Sequence, residues 1–346
     1  QGFANLSIRL SDDNTRPDAF FWLGHAWGDE AHDITIRKPS EFFIYGVDFN
    51  YTMAELDTEQ TQGSGRQRGI AVVLIADSRF IIQSSRFAGK EAAIGHIYVN
   101  EYSSYRNVTC DYQAGYLQSV AKYNFIEDCH IIGGLRKDLL LDNHGIFARS
   151  FCHIENNNVE HVGNFNMNDG ETYCVEQPWG NYNCGVVLNA NANNVTVNPM
   201  DGNLQEHYAV GYDRLVVRVV SGRGLGQQKE VDSIDVATNT ITIKGTWDVT
   251  PDHTSRISLF APLEYVTIYN NAASDAAKGI YLFGNLFDAI AVNNVSVDTE
   301  GIFIWSANHS NMDVQDSFVT IRENKIIGVS PKSHAGNIGM HTQRQL

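Results

Sequence analysis

The sequence has no apolar run approaching eighteen residues, so it offers no candidate for a membrane-spanning helix. It has no lysine- and arginine-rich block either. Its 25 basic residues face 40 acidic ones, the net charge is −15, and nothing basic is concentrated enough to form a nucleic-acid stripe. Cysteine is scarce, five in 346 residues, with neither the C-x-x-C spacing of a zinc site nor the density of a small disulfide-built domain. Helical 3.6-residue periodicity is hard to find over any long window, which argues against the crossover helices of βαβ architecture. No G-x-S-x-G elbow, Ser-His-Asp order or H-E-x-x-H pair occurs, leaving esterase and zinc-protease chemistry with little support. GRGLGQ (222–227) brushes against a phosphate loop, but no Lys-Ser/Thr follows and no helix opens there, so it reads as a turn.

What is present is a two-beat phrase. The first beat is glycine followed by apolar residues: GIAVVL from Gly69, GIFARS from Gly145, GVVLNA from Gly185, GIYLFG from Gly279 and GIFIWS from Gly301. The second is an alternating apolar run closed by a polar turn: FIIQSS from Phe80, FIEDCH from Phe125, FCHIENN from Phe151, YVTIYNN from Tyr265, DAIAVNN from Asp288 and FVTIREN from Phe318. Each beat is short, β-branched or aromatic, and bounded by Gly, Asn, Asp or Ser, which predicts two strands per repeat. A parallel sheet without helices points to coils stacked along one axis. Asn156–Asn158, Asn270, Asn271, Asn293, Asn294 and Asn324 then read as turn ladders, because Asn tolerates left-handed backbone and its amide can bond to the next coil.

On VTIYNN (266–271), AIAVNN (289–294), VTIREN (319–324) and the glycine phrases, the chain resembles the right-handed parallel β-helix proteins of the pectin-lyase-like superfamily. The resemblance covers about residues 33–199 and 263–340. It implies an all-β right-handed parallel β-helix, and its members include lyases, glycoside hydrolases, esterases, tailspikes and adhesins, so it speaks to architecture rather than activity. Between the two parts, roughly 200–262 alternates more strictly and carries the tight-turn residues of TWDVTPDHTS, predicting an inserted antiparallel β subdomain. The expected organisation is N-terminal coils over 1–199, the insertion over 200–262, and C-terminal coils over 263–346. The SGRGLGQ and WDVTPDHT phrases are similar to a module inserted in secreted β-helix proteins that act on carbohydrates.

Function in a repetitive scaffold is expected where the repeat is interrupted. The segment 161–184 holds Asp169, Glu171 and Glu176 with Tyr173, Trp179 and Tyr182, and reads as a binding loop. Just before the Gly145 strand, 133–145 concentrates Arg136, Lys137, Asp138, Asp142 and His144. Glycosidic cleavage needs two carboxylates flanking the bond, so Asp169, Glu171 or Glu176 paired with Asp138 or Asp142 is the candidate catalytic set. Tyr173, Trp179, Trp305, Arg136, Lys137 and His144 are the candidate substrate contacts. A lyase using Lys137 or Arg136 as base is the alternative chemistry, and a tailspike or adhesin that only holds a glycan is the alternative class. The aromatic-rich N-terminal stretch with Trp22, His25, Trp27, Asp29 and Glu30 reads as a partial first coil capping the core. No cofactor is required by this chemistry, and calcium on carboxylate and amide oxygens is the metal the composition would suit. The expected partner is a polysaccharide, the expected location secreted or cell-surface. Cys110, Cys129 and Cys152 read as buried small hydrophobes, while Cys174 and Cys184, bracketing a polar segment, are left open as a disulfide.

Overall fold

The computed structural model describes residues 2–5, 7–10, 19–23, 41–51, 70–76, 79–89, 97–99, 102–113, 117–118, 123–133, 145–162, 171–176, 182–198, 214–305, 317–328 and 338–341. Among the described residues every regular element is a β-strand. Two nine-stranded parallel sheets and a six-stranded one carry most of them.

The chain visits these sheets in a fixed order. Sheet one receives, among others, Tyr123–Glu127, Cys152–Glu155, Leu263–Tyr269, Leu286–Val292 and Ser317–Arg322. After a corner the chain enters sheet two, as His130–Gly133, Asn158–Glu160, Ala272–Ser274, Val295–Val297 and Lys325–Ile327. It then reaches sheet three through Leu117–Gln118, Ile146–Ala148, Glu171–Glu176, Lys278–Phe283, Ile302–Trp305 and Ile338–His341. In the first part of the chain a three-stranded parallel sheet (Ala19–Leu23, Ile70–Ala76, Ile97–Val99) takes the third place in the same order. Each repeat therefore has three strands, where the two-beat phrase predicts two. The missed strand is the three- to five-residue one of sheet two, too short for alternation to register.

The corner between sheets one and two explains the asparagines. Asn107, Asp128, Asn156, Asn270 and Asn293 all sit at φ between 52° and 57°, where a short polar side chain is best tolerated. Their neighbours Asn157, Asn271, Asn294 and Asn324 point inward. Asn157 Nδ2 donates to Asn271 Oδ1 (2.9 Å), Asn271 Nδ2 to Asn294 Oδ1 (3.1 Å), and Asn294 Nδ2 to Asn324 Oδ1 (2.9 Å). The same oxygens accept the backbone N–H of Asn157, Asn271 and Asn294, so each buried amide satisfies the turn of its neighbouring repeat. Asn158 belongs to the following strand, not to the ladder; its amide bonds to Glu160.

The glycine of the first beat has a different cause. A Cβ on Gly279 would lie 2.0 Å from the carbonyl oxygen of Gly301, and one on Gly145 2.5 Å from that of Thr172. Entry into sheet three is thus a place where successive repeats touch backbone to backbone.

Inside, one apolar column runs through all three large sheets. Ile126, Ile154, Ile268 and Ala291 come from sheet one, Ile131, Val159 and Ala273 from sheet two, and Val175, Ile280, Leu282 and Ile304 from sheet three. Cys110, Cys129 and Cys152 pack there as buried thiols, and burial pushes those of Cys129 and Cys152 up to about 12.

Between Glu176 and Leu263 the chain makes a closed antiparallel barrel from Tyr182–Ala190, Asn194–Val197, Val216–Ser221, Gln228–Asp235, Thr240–Ile243 and Arg256–Phe260. The barrel takes in two strands before residue 200, so GVVLNA, read as a first beat, instead pairs antiparallel with its neighbours. It has its own core around Val187, Val217, Ile241, Trp247, Ile257 and Leu259. GRGLGQ is a turn: Gly222, Gly224 and Gly226 have φ of 76°, 81° and 89°. Gln227 Oε1 accepts the N–H of Asp248 (3.1 Å) and Val249 (3.2 Å), tying this turn to the WDVTPD turn. Arg214, two residues before the third of these barrel strands, forms an ion pair with the buried Glu264 of sheet one.

Candidate functional site

Of the residues singled out from the sequence, Asp138, Asp142, Asp169, Arg136, Lys137, His144 and Trp179 lie outside the described residues, as do His25, Trp27, Asp29 and Glu30. Glu171, Tyr173, Glu176 and Trp305 are described, and all four lie in sheet three.

Glu171–Glu176 is a strand of sheet three rather than part of a loop, paired in parallel with Ile146–Ala148 and Lys278–Phe283. Strand alternation sends Tyr173 and Val175 inward and Cys174 and Glu176 outward. Tyr173 is therefore no substrate contact: it is fully buried, with its hydroxyl held between the carbonyl oxygens of Asn157 (3.0 Å) and Ala272 (2.6 Å). Cys174 is a buried thiol on the outward face, 3.8 Å from Glu176 Oε2, and not half of a disulfide with Cys184.

The outward face of sheet three carries a second, smaller apolar cluster. Phe147, Cys174, Tyr281 and Phe303 are register partners across four successive strands, flanked by Phe283 and Trp305. The Tyr281 and Phe303 rings lie parallel, 5.4 Å apart at 7°. Trp305 stands edge-on to Tyr281 (6.0 Å, 84°) and to Phe283 (5.5 Å, 76°).

Charged groups gather at the strand starts beside this face. Lys278 Nζ is 2.7 Å from Glu171 Oε1, with side-chain exposures of 16% and 2%, and the same ammonium lies 4.5 Å from the centroid of the Tyr281 ring. Lys278 is thus held both by a carboxylate and by a π face. Glu300 lies in the turn just before the next strand of sheet three, Ile302–Trp305, two residues ahead of it. Glu300 is 7% exposed, while Glu176, at the far end of its strand, is half-buried. Burial pushes the Tyr281 phenol well above its ordinary value, and the fields of Glu171, the Cys174 thiol, Glu300 and Glu176 push the same way. The three carboxylates therefore all act on one ring.

Glu171 and Glu176 are five residues apart on one extended strand, roughly 16 Å between Cα atoms. Of the three, Glu171 is the one paired with Lys278. Sequence reasoning missed Lys278, Tyr281 and Glu300. A signal was present: KGIYLF and EGIFIW both place a charge immediately before the first-beat glycine, as HGIFAR does with His144.

No family profile matches the chain, and no curated protein or solved structure is significantly similar to it.

Proposed function

We propose that this protein is a right-handed parallel β-helix that acts on a polysaccharide or complex glycan at the outward face of sheet three, most simply as a glycoside hydrolase. The observation that carries the reading is the aromatic face of Phe147, Tyr281, Phe303 and Trp305 with the Glu171–Lys278 pair set against the Tyr281 ring. Aromatic rings offer a sugar's C–H face an apolar platform, and glycosidic cleavage needs one protonated and one ionised carboxyl group across the bond. In this reading Glu171, salt-bridged to Lys278, is the ionised member, and Glu300 is the acid. Glu176 and Trp305 contact the substrate from the other end of the strands.

The burial of Glu171 and Glu300 favours a second reading, in which the face holds a glycan without cleaving it. Release of reducing ends from a polysaccharide panel, measured beside binding, separates the two. Turnover lost in Glu300→Gln with binding retained supports the hydrolase. Binding without turnover in the intact protein, lost in Trp305→Ala, supports the second reading. An intact protein that neither binds nor cleaves any member of the panel overturns both.

A further inference from the structure

The geometry points to a divalent-metal site of the zinc type on a different surface, the outward face of sheet one, formed by Glu127, His153 and Glu155. One ligand atom from each residue lies within 4.8 Å of the other two, and all three side chains are half-buried. Glu127 and Glu155 are register partners on adjacent parallel strands, so two carboxylates face each other across a single strand spacing. Like charges placed directly opposite destabilise a sheet unless something between them offsets the repulsion. His153 lies on the same face, its Nε2 2.7 Å from Glu155 Oε2. Its ring is set against that of its register partner Phe125, with centroids 6.3 Å apart, which limits its rotation.

The cation that reaches this group is Arg106, and it is shared: its Nε is 3.9 Å from Glu127 Oε2 and 3.8 Å from Asp128 Oδ2. Arg106 is itself 59% exposed, so its pairing with Glu127 is loose and screened. A neutral imidazole with two carboxylates carries two negative charges and supplies one nitrogen and two oxygen donors. That set suits a first-row divalent ion with a fourth position open to water; calcium would want six or more oxygens. Donors bound 2.0–2.2 Å from a tetrahedral ion sit roughly 3.4 Å from one another, so side-chain rotation alone closes the group around a metal.

The test uses the full chain, stripped of metal with chelator, titrated with Co2+ followed by its visible absorption and with Zn2+ by calorimetry. One equivalent is expected to bind with imidazole in the cobalt spectrum. His153→Ala is expected to weaken binding by roughly 100-fold, Glu127→Gln and Glu155→Gln by about tenfold or more each. Arg106→Gln, which removes the competing cation, is expected to tighten binding severalfold, a gain that a misfolded variant cannot produce. His161→Ala, whose ring pairs with Asp275 elsewhere, is expected to leave binding unchanged. No uptake by the intact protein, unchanged uptake in His153→Ala, or no tightening in Arg106→Gln overturns the assignment.

Discussion

Asn271 is the residue on which the inner ladder can be tested most sharply. Its side chain is buried, 2% exposed. Its Oδ1 accepts from the backbone N–H and the amide of Asn157, both at 2.9 Å, and its Nδ2 donates to the carbonyl oxygens of Ile154 and Tyr269, also at 2.9 Å. Alanine at this position removes all of these at once. The group that loses its partner without access to water is the Asn157 N–H, since the Ile154 carbonyl keeps its place in the ladder opposite Tyr269, so the substitution is expected to destabilise by about 1–3 kcal/mol. Urea unfolding followed by far-UV circular dichroism reads this directly. The neighbour Asn270 provides the contrast, since it is exposed and held at φ 56°. Asn270→Ala is expected to cost about 1 kcal/mol for the left-handed backbone, and Asn270→Gly close to nothing. A loss below 1 kcal/mol for Asn271→Ala, or one smaller than that of Asn270→Ala, would refute the reasoning that the inner amides hold the corner.

Three further outcomes follow from individual contacts. Lys278→Met strands the Glu171 carboxylate, 2% exposed, and is expected to cost about 3–5 kcal/mol in urea unfolding, most of it recovered when Glu171→Met is added; a single-variant loss under 1 kcal/mol would contradict the burial of the pair. Gly279→Ala drives a Cβ to 2.0 Å from the Gly301 carbonyl and is expected to cost about 3 kcal/mol or more, whereas Gly245→Ala, at φ 81° but with nothing within 4 Å, should cost only about 1 kcal/mol; comparing the two midpoints separates contact from backbone strain. The Glu230 carboxyl is held below its ordinary value of 4.5, first by its hydrogen bond from Lys244. A folded-state value below the unfolded one gives stability that is present above the unfolded value and lost as pH falls through the folded one. The pair is largely exposed, so Glu230→Gln is expected to cost roughly 0.5 kcal/mol at most near neutrality and nothing in acid. A cost that grows toward low pH would reverse the sign.

The parts of this fold that could be read from the sequence are those where one residue type answers one local demand. The VTIYNN, AIAVNN and VTIREN phrases expose a sheet-one strand and its left-handed corner together, because the alternation is long enough to see and the corner accepts few residues. The sheet-two strands were not legible, since three residues such as Ala272–Ser274 hold no period. Glu171–Glu176 was hidden for another reason: Thr172-Tyr173 replaces the usual glycine and isoleucine, so its strand character rests on pairing with Lys278–Phe283, which no local pattern reveals. The same pairing decides the candidate site. Glu171 and Glu176 stood out as acids in a polar segment, but only the register with Lys278–Phe283 shows that Glu171 is held in a cross-strand ion pair while Glu176 stands at the far end of the strand. Tyr173 was misassigned because one step of alternation separates a core phenol from a surface one.

Release of reducing ends from a polysaccharide panel, compared between the intact protein and two single variants, tests the proposed site most directly. The proposal predicts release by the intact protein that is lost in Glu171→Gln and in Glu300→Gln alike. Release still produced by both variants would contradict a site built on that pair.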